Sequence, residues 1–279
     1  MKILISYDNV LPHTTGNYFT RAFSCMADTS YIHPRQLNNI KQGEYDLHIK
    51  IDDGLYINRW NPNLHPSVYY IIDSHIDSEH NWRKDIVAES TFDHIFTAQK
   101  NGAKALDIPA SWIPLGCDPE LHSPTNSNGK IFDECFIGNF HSEFADKRMD
   151  FVEALFKKFP NFFYGNRYFN EMAQKFNESR IVFNQALNND INMRYFEACC
   201  SGSFQLASRI TDNGLDELLE DGIDYVSYNN VEDMIDKAEY YIVHDDKREK
   251  IAQSGREKIL SSHTYKHRAE EIIRRITNA

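Results

Sequence analysis

Residues 188–208 combine side chains suited to chemistry with a pattern that could position them. The run reads NNDINMRYFEACCSGSFQLAS. Its apolar residues recur at roughly helical spacing up to Gly202, and a short apolar run follows, which predicts a loop, a short helix, a tight turn and a strand. Glu197 lies late in that helix. Because a carboxylate accepts from two neighbouring hydroxyls, Glu197 is suited to binding a ribose diol, and a solvated Glu on an amphipathic helix is the alternative.

Polar side chains also follow a strongly apolar run in the first half of the chain. Residues 68–72 read VYYII, which predicts a buried strand, and Asp73 and His75 come directly after it. In an open parallel sheet the ligand crevice lies beyond the carboxyl ends of the strands, so both residues are placed for chemistry. A polar loop without a catalytic part is the alternative. The surrounding Asp, His and Glu match no recognisable metal-ligand spacing.

Two glycine-containing motifs in the first half have both a functional and a plain interpretation. Gly16 lies in a loop between a strand predicted at residues 3–6 and a helix, where it would bring backbone close to a ligand. A plain turn is the alternative, and it is the interpretation that a single Gly favours. Asp52, Asp53 and Gly54 could belong to an acidic metal-binding motif, but such a triplet is also an everyday turn, which is our interpretation.

The elements that must position these side chains alternate between strand and helix in both halves. Strands are predicted in the first half at residues 3–6, 45–51, 68–72 and 92–98, and in the second at 134–137, 161–164, 181–183 and 225–228. A loop entering a helix is predicted at residues 13–21, and helical patterns lie at residues 99–106, 143–159 and 215–219 and from residue 231 onward. This alternation predicts parallel sheets built from strand-helix-strand units. The composition between Pro119 and Lys130 is the most linker-like in the chain and marks a domain boundary.

The overall composition is that of a globular protein. The 279 residues are 41% hydrophobic and 25% charged, and 41 acidic against 30 basic residues give a net charge of −11. This charge argues against a broad electrostatic surface for nucleic acid. The five cysteines form no C-x-x-C pair, which favours reduced thiols and a cytoplasmic protein. We expect no targeting segment and no membrane span.

Several segments in a fixed order resemble a known family. They are residues 136–139 (FIGN), Arg148, residues 179–184 (SRIVFN), residues 192–202 (NMRYFEACCSG) and a closing run over 248–268. Together they resemble the carboxyl-terminal domain of GT-B glycosyltransferases, and most closely the CgeB-like (spore maturation protein) group of glycosyl transferase family 1-like proteins. The resemblance covers about residues 130–270, and the first half matches only loosely.

The resemblance implies an α/β protein of GT-B architecture, with two Rossmann-like domains and a cleft between them. The expected domains are residues 1–120 on the acceptor side, residues 121–262 for the nucleotide sugar, and a helix over 263–279 packing back on the first domain. The implied activity is metal-independent transfer of a hexosyl-type sugar from a nucleotide-diphosphate donor, most readily a UDP-sugar, with no other cofactor. The acceptor is open: a glycan, a small molecule, a protein or a modified nucleobase.

The same resemblance gives roles to residues of the second half. Glu197 falls where such enzymes bind the ribose hydroxyls. Many retaining relatives carry a second Glu eight positions earlier, where this chain has Asn189 beside Asp190, so the sugar and the stereochemical course stay open.

The donor diphosphate also has candidate partners in the second half. It would meet the turn at Gly138 and Asn139 and a cation, Arg148 or Arg194, which together neutralise charge without a metal. Gly16 and Asn192 complete the predicted donor-binding set.

The first half would supply a base if the reaction inverts configuration. Asp73 or His75 would then deprotonate the acceptor hydroxyl, whereas a retaining reaction needs no such base. Two other functions stay open at this point: a non-catalytic module that binds a nucleotide or glycan, and a sugar-nucleotide epimerase of the same fold.

Overall fold

The computed structural model describes residues 1–52, 56, 58–74, 82–89, 91–125, 129–138 and 146–277. The chain divides into two compact units, one formed by Met1–Leu115 with Tyr265–Ala279 and the other by Gly116–Thr264. Each unit contains one parallel sheet with helices on its faces, so the predicted α/β class is confirmed. Within the described ranges, no helix is long and apolar enough to span a bilayer.

The first unit is built on a six-stranded parallel sheet of order β2-β1-β3-β4-β5-β6. Its strands are β1 (Lys2–Ser6), β2 (Asp28–Ile32), β3 (Leu47–Ile51), β4 (Ser67–Ile71), β5 (His94–Thr97) and β6 (Ser111–Trp112). Its helices are α1 (Thr15–Ser24), α2 (Trp82–Glu89), α3 (Gly102–Leu106), the C-terminal α10 (Tyr265–Thr277) and a 3₁₀ helix (Pro34–Asn39).

The second unit is built on a five-stranded parallel sheet of order β11-β10-β9-β7-β8. Its strands are β7 (Phe132–Ile137), β8 (Phe162–Gly165), β9 (Ser179–Asn184), β10 (Gln205–Ser208) and β11 (Val226–Tyr228). Its helices are α4 (Asp146–Lys158), α5 (Phe169–Glu178), α6 (Arg194–Cys200), α7 (Leu215–Leu218), α8 (Val231–Ile242) and α9 (Asp245–Ser262).

Both faces of the second sheet are covered, which explains why its strands read as continuous apolar runs. Successive residues of β7 point to opposite faces. Phe136 joins a cluster with residues of α4, α8 and α9, and Cys135 and Ile137 join a second cluster with α5 and α6. The sheet therefore has two buried sides, and side chains reach solvent mainly where the strands end.

Three of the described strands and α-helices were not predicted from the sequence. The strand β2 has a polar, partly exposed pattern at the edge of its sheet. The helices α2 and α5 fall between segments that were interpreted as strands and loops. In α5 the buried residues Met172, Ala173 and Phe176 have the spacing of an amphipathic helix, so a closer search for helical periodicity would have found it.

Candidate functional site

The strand order of the second sheet creates a crevice at the carboxyl ends of two neighbouring strands, β7 and β9. The chain leaves β7 for β8 on one side and later returns to β9 on the other. In doubly wound sheets ligands bind at such a switch point, beyond the carboxyl ends of the two strands. Gly138 directly follows β7, and Gln185 directly follows β9. Side chains that reach these two residues therefore define the candidate site.

Two arginines are held at this edge by the backbone of the strand ends. The Nε–H of Arg194, at the start of α6, donates to the carbonyl of Ile137, the last residue of β7. The Nε–H of Arg148 on α4 donates to the carbonyl of Gln185 over 3.1 Å. Because each guanidinium uses its Nε–H to hold its position, its terminal nitrogens are directed by the protein before any ligand arrives.

The two guanidinium groups are close enough to affect each other electrostatically. Burial, and after it the charge of Arg194, lowers the pKa of Arg148 to about 10, while Asp190 acts in the opposite direction. Burial also lowers the pKa of Arg194, against the raising effect of Glu197 and Asp190. Arg148 is buried and Arg194 half-buried. With the carboxylates of Asp190 and Glu197 nearby, they form a charged site that offers two guanidinium groups to an anion.

Gly138 is required by packing at the end of β7. A Cβ at this position would lie 2.6 Å from the ring of Phe136 and 3.4 Å from the Nη2 of Arg194. The absence of a side chain therefore lets the strand end and the Arg194 guanidinium approach each other. The sequence prediction that Gly138 and Arg194 belong to one site agrees with this proximity, and their role toward a ligand stays a prediction.

The loop from residue 188 to residue 193 is fixed by its own polar side chains. The side chain of Asp190 accepts the N–H of Leu187 over 2.8 Å, and that of Asn192 accepts the N–H of Arg194 over 3.2 Å. Asn192 also pairs with Asn184 at the end of β9, at 3.1 Å. These bonds tie the start of α6 to the end of β9, so Asp190 and Asn192 hold the loop at the candidate site.

Asn189 uses its side chain within the same unit. Its amide accepts the N–H of Thr211 over 3.0 Å and donates to the carbonyl of Thr211 over 2.5 Å. Its backbone is in the left-handed region, at a φ of 63°. The predicted donor-binding role of Asn189 is untested by this geometry, which shows the residue joining two loops at the carboxyl edge of the sheet.

Glu197 is buried in α6 and faces a histidine that the sequence patterns did not single out. Its carboxylate Oε1 lies 3.6 Å from the Nε2 of His122, a side chain with no exposed surface. The ring Nδ1 of His122 accepts the N–H of Asp118 over 3.2 Å. The sequence composition suggested a linker here. The four-residue spacing of Asp118 and His122 indicates a single turn, but no local pattern indicated the contact with Glu197.

A small cavity of about 250 Å³ lies at the same edge of the second sheet. It is lined by Phe151, Gln185, Ser208, Arg209, Thr211, Tyr228 and Asn229. Gln185, Arg209 and Asn229 each directly follow a strand, as expected for a crevice at the carboxyl ends. Arg209 adds a cation that the sequence analysis missed.

In the first unit, Gly16 is explained by packing against an aromatic ring. A Cβ at Gly16 would lie 2.1 Å from the ring of Tyr7, whose hydroxyl donates to Asn17 over 2.6 Å. Tyr7 directly follows β1, so Gly16 lets α1 begin close to that strand end. The predicted approach of a ligand to Gly16 stays a prediction.

Asp73 lies just beyond β4, where the sequence placed it, and its backbone is held by Asp52. The carboxylate of Asp52 accepts the N–H groups of Ile72 and Asp73 over 3.2 and 3.4 Å, and the Nε–H of Arg83 over 2.6 Å. Asp52 and Arg83 are both buried. Asp52 therefore acts as an anchor for the loop that carries Asp73.

Two predicted site residues, His75 and Asn139, lie outside the described residues. Within the described ranges, no group of three or more His, Cys, Asp or Glu side chains is arranged to hold a metal ion.

Comparison with known proteins gives one family match and several structural matches. Residues 147–274 match the model of the family described as Glycosyl transferase-like, which is somewhat under half of the chain. That segment contains Arg148, Asn189, Asp190, Asn192, Arg194 and Glu197. None of the curated proteins that were compared matches this chain.

Three of the solved structures that resemble this chain cover almost all of it. Anabaena HepE in complex with UDP and glucose has a TM-score of 0.74 at 11% identity, with 100% of each chain covered. Sucrose-phosphate synthase from Thermosynechococcus elongatus has a TM-score of 0.69 at 10% identity, covering 99% of this chain and 98% of that one. An alpha-glucosyltransferase in complex with UDP-glucose and DNA has a TM-score of 0.65 at 13% identity, with 99% of each chain covered.

At these identities the structural matches establish the fold. The chain has the two-unit α/β fold of GT-B glycosyltransferases, and the segment that matches the Glycosyl transferase-like family lies mostly in its second unit.

Proposed function

We propose that this protein is a glycosyltransferase that transfers a sugar from a nucleotide-diphosphate donor to an acceptor hydroxyl. The observation that carries the proposal is the convergence of Glu197, Arg194 and Arg148 at the switch point of the second sheet. A ribose carries a diol and a diphosphate carries negative charge, and this edge offers one carboxylate and two guanidinium groups for them.

The chemistry of glycosyl transfer explains why these groups are useful together. The anomeric bond breaks through an oxocarbenium-like state, and the leaving diphosphate gains negative charge as the bond breaks. Arg148 and Arg194 are already held by strand-end carbonyls, so they stabilise that charge without rearranging. Gly138 and Asn139 would bring backbone N–H groups to the same diphosphate.

The finer features of the proposal rest on the resemblance and on the structural relatives. HepE was solved with UDP and glucose, and the alpha-glucosyltransferase with UDP-glucose, which supports a UDP-hexose donor here. We propose a CgeB-like, metal-independent enzyme acting in the cytoplasm. Asn189 and Asp190 would face the sugar, and Gly16 stays a proposed donor-binding residue. If the reaction inverts, Asp73 or His75 serves as the base.

Calorimetric titration of the protein with UDP, GDP, dTDP and ADP tests the donor site. We expect one of them, UDP foremost, to bind. Replacing Glu197 by Gln should weaken that binding by about 10- to 100-fold, because a charged acceptor of ribose hydroxyls becomes neutral. Glu153→Gln is the matched control, since Glu153 is exposed on α4, and it should bind as the wild type does.

The outcomes separate the competing functions. If no nucleoside diphosphate binds at millimolar concentration, the proposal is wrong. If Glu197→Gln binds as tightly as the wild type, Glu197 is not the ribose ligand.

A second assay, release of UDP and free sugar from UDP-glucose, separates the enzyme from a binding module. Binding without turnover, with every acceptor class tried, would indicate the module. Recovery of an epimerised UDP-sugar in the absence of acceptor would indicate an epimerase.

A further inference from the structure

The buried pair of His122 and Glu197 has a defined proton arrangement. The backbone N–H of Asp118 donates to the Nδ1 of His122 over 3.2 Å, so Nδ1 must be an acceptor and the neutral ring carries its proton on Nε2. Burial lowers the pKa of His122 more than the charges of Glu197 and Asp118 raise it, which keeps the ring neutral near pH 7. Nε2 is the nitrogen that faces Glu197.

The surroundings of His122 fix the ring. The N–H of His122 donates to the carbonyl of Asp118 over 2.9 Å, and the carboxylate of Asp118 accepts the N–H of Glu120 over 3.0 Å. These bonds close residues 118–122 into one turn. The ring has no exposed surface, so its Nε2–H has a fixed direction.

The distance between the two side chains suits an orienting contact. Nε2 lies 3.6 Å from Oε1 of Glu197, just beyond hydrogen-bond length, and a small rotation of the carboxylate would close it. One carboxylate oxygen would then be held by His122, and the other would be left to accept from a ligand. A carboxylate fixed in this way binds a diol with less loss of side-chain freedom.

We infer that His122 is a positioning residue that orients Glu197 toward the ribose hydroxyls and so sets the preference of this site for ribonucleotides over deoxyribonucleotides. The inference rests on the proposed function, because it takes Glu197 as the ribose ligand. It adds a residue that acts through Glu197 and touches no substrate itself.

The test compares UDP with 2′-deoxy-UDP and 3′-deoxy-UDP by calorimetric titration of the full chain. The wild type should bind UDP at least about 10-fold more tightly than the deoxy analogue that lacks the ribose hydroxyl hydrogen-bonded to Glu197. In His122→Phe, which keeps a ring and removes the donor, UDP binding should weaken by about 10-fold while binding of that deoxy analogue changes little. His122→Gln, whose side-chain NH₂ can replace Nε2–H, should recover most of the ribose preference.

A purely structural role of His122 would give a different pattern. UDP and the deoxy analogues would then weaken by the same factor in His122→Phe, so the ribose preference would survive unchanged, and that result would overturn the inference. His122→Gln tests the same point if the Phe variant fails to fold: a folded Gln variant that keeps no ribose preference, although its NH₂ is present, contradicts the positioning role.

The double variant His122→Phe with Glu197→Gln gives an independent check. If His122 acts through Glu197, the double variant should bind UDP about as weakly as Glu197→Gln alone, because the effects of coupled residues are not additive. Fully additive losses would contradict the inference. A wild type that binds none of UDP, GDP, dTDP and ADP would instead refute the proposed function, and the inference would fall with it.

Discussion

Two buried carboxylates of this protein differ in how they are paired. Asp52 is 2.6 Å from the guanidinium of Arg83 and also accepts backbone N–H groups, so its charge is compensated. Glu134 on β7 has no exposed surface, and neither of its carboxylate oxygens has a hydrogen-bond partner among the described residues. Burial, with a smaller contribution from the charge of Asp133, raises the pKa of Glu134 well above its usual value. Glu134 is therefore protonated in the folded protein.

Replacing Glu134 by Gln should stabilise the protein increasingly as the pH rises. In the unfolded chain Glu134 loses its proton near its ordinary pKa, whereas in the folded protein it keeps the proton to a much higher pH. The contribution of Glu134 to stability is therefore fully present below the pKa that Glu134 has in the unfolded chain. Above that pKa the contribution is lost, by up to about 1.4 kcal/mol per pH unit. Gln has the same shape and does not titrate. Denaturant unfolding at pH 5, 6.5 and 8 measures the difference between variant and wild type.

The matched control for this prediction is Glu153→Gln, because Glu153 is exposed on α4. Its stability difference from the wild type should not change with pH. If the Glu134→Gln difference is equally flat from pH 5 to pH 8, the buried carboxyl is not protonated as we infer.

The backbone around Asn189 gives a physical reason for an Asn rather than a Glu at this position. Both Asn188 and Asn189 have positive φ values, 48° and 63°, and Asn tolerates that conformation better than most residues. The Asn189 amide both donates to and accepts from the backbone of Thr211. A Glu could only accept, and it would leave the Thr211 carbonyl without this donor.

At the scale of elements, α9 packs closely on α6 because of a glycine in its middle. A Cβ at Gly255 would lie 2.3 Å from the backbone oxygen of Asp224 and 3.1 Å from the Sγ of Cys199. The neighbouring Ser254 hydroxyl donates to the Asp224 carboxylate over 2.7 Å. The close approach of α9 therefore fixes the far end of the helix that carries Glu197.

Gly255→Ala should destabilise the second unit, although Ala favours a helix by about 1 kcal/mol over Gly. The added methyl meets a backbone oxygen that cannot rotate away, and overpacking of this kind costs about 1–3 kcal/mol. We expect a net loss of up to about 2 kcal/mol in the free energy of unfolding, measured by denaturant titration.

Gln253→Ala is the control, because Gln253 is an exposed residue of the same helix, and its effect should stay within about 0.5 kcal/mol. A Gly255→Ala variant more stable than the wild type would show that α9 shifts to accommodate the methyl group.

At the scale of the whole molecule, the first unit is discontinuous along the chain. Its C-terminal helix α10 packs on α1, where the ring of Tyr265 stacks on Tyr18 at 5.1 Å and contacts Phe19 edge-on at 5.1 Å. Arg268 donates to the carbonyl of Leu115 over 3.0 Å. The core of the first unit therefore needs residues from both ends of the sequence.

The fragment 1–115 alone should fail to fold, and the fragment 116–264 should fold by itself. Without α10, the buried rings of Tyr18 and Phe19 would be exposed, and losing a buried aromatic contact of this size costs about 3–5 kcal/mol. The second unit keeps its whole sheet and both core clusters. Circular dichroism with thermal unfolding measures cooperativity in each fragment.

A fused chain provides the matched control. Joining residues 1–115 to 265–277 by a short Gly-Ser linker should restore cooperative unfolding. In the intact chain Cys117 and Thr264 form a β-bridge, so the two ends to be joined lie close together. Cooperative unfolding of the fragment 1–115 on its own would contradict this account of α10.

The amino-acid sequence by itself determined the class of the fold and the residues that reach the candidate site. Alternating apolar runs and helical patterns predicted parallel sheets, since these periodicities are local properties of the chain. Glu197 could be singled out because its residue type and its place late in a helix suit a diol, whereas Arg194 and Gly138 were singled out by the resemblance of their segments to a known family. The polar edge strand β2 escaped the same method, because its burial depends on what packs beside it.

Only the tertiary structure decided which of these residues meet. Pairing of β7 with β9, which are separated in sequence by α4, β8 and α5, places the carbonyl of Ile137 and that of Gln185 at one crevice, where Arg194 and Arg148 bind them. Strand order follows from long-range packing of helices on both faces of the sheet, which no local pattern encodes. The same packing buries His122 against Glu197, because a residue in a polar, linker-like segment becomes a core residue only when the chain folds around it.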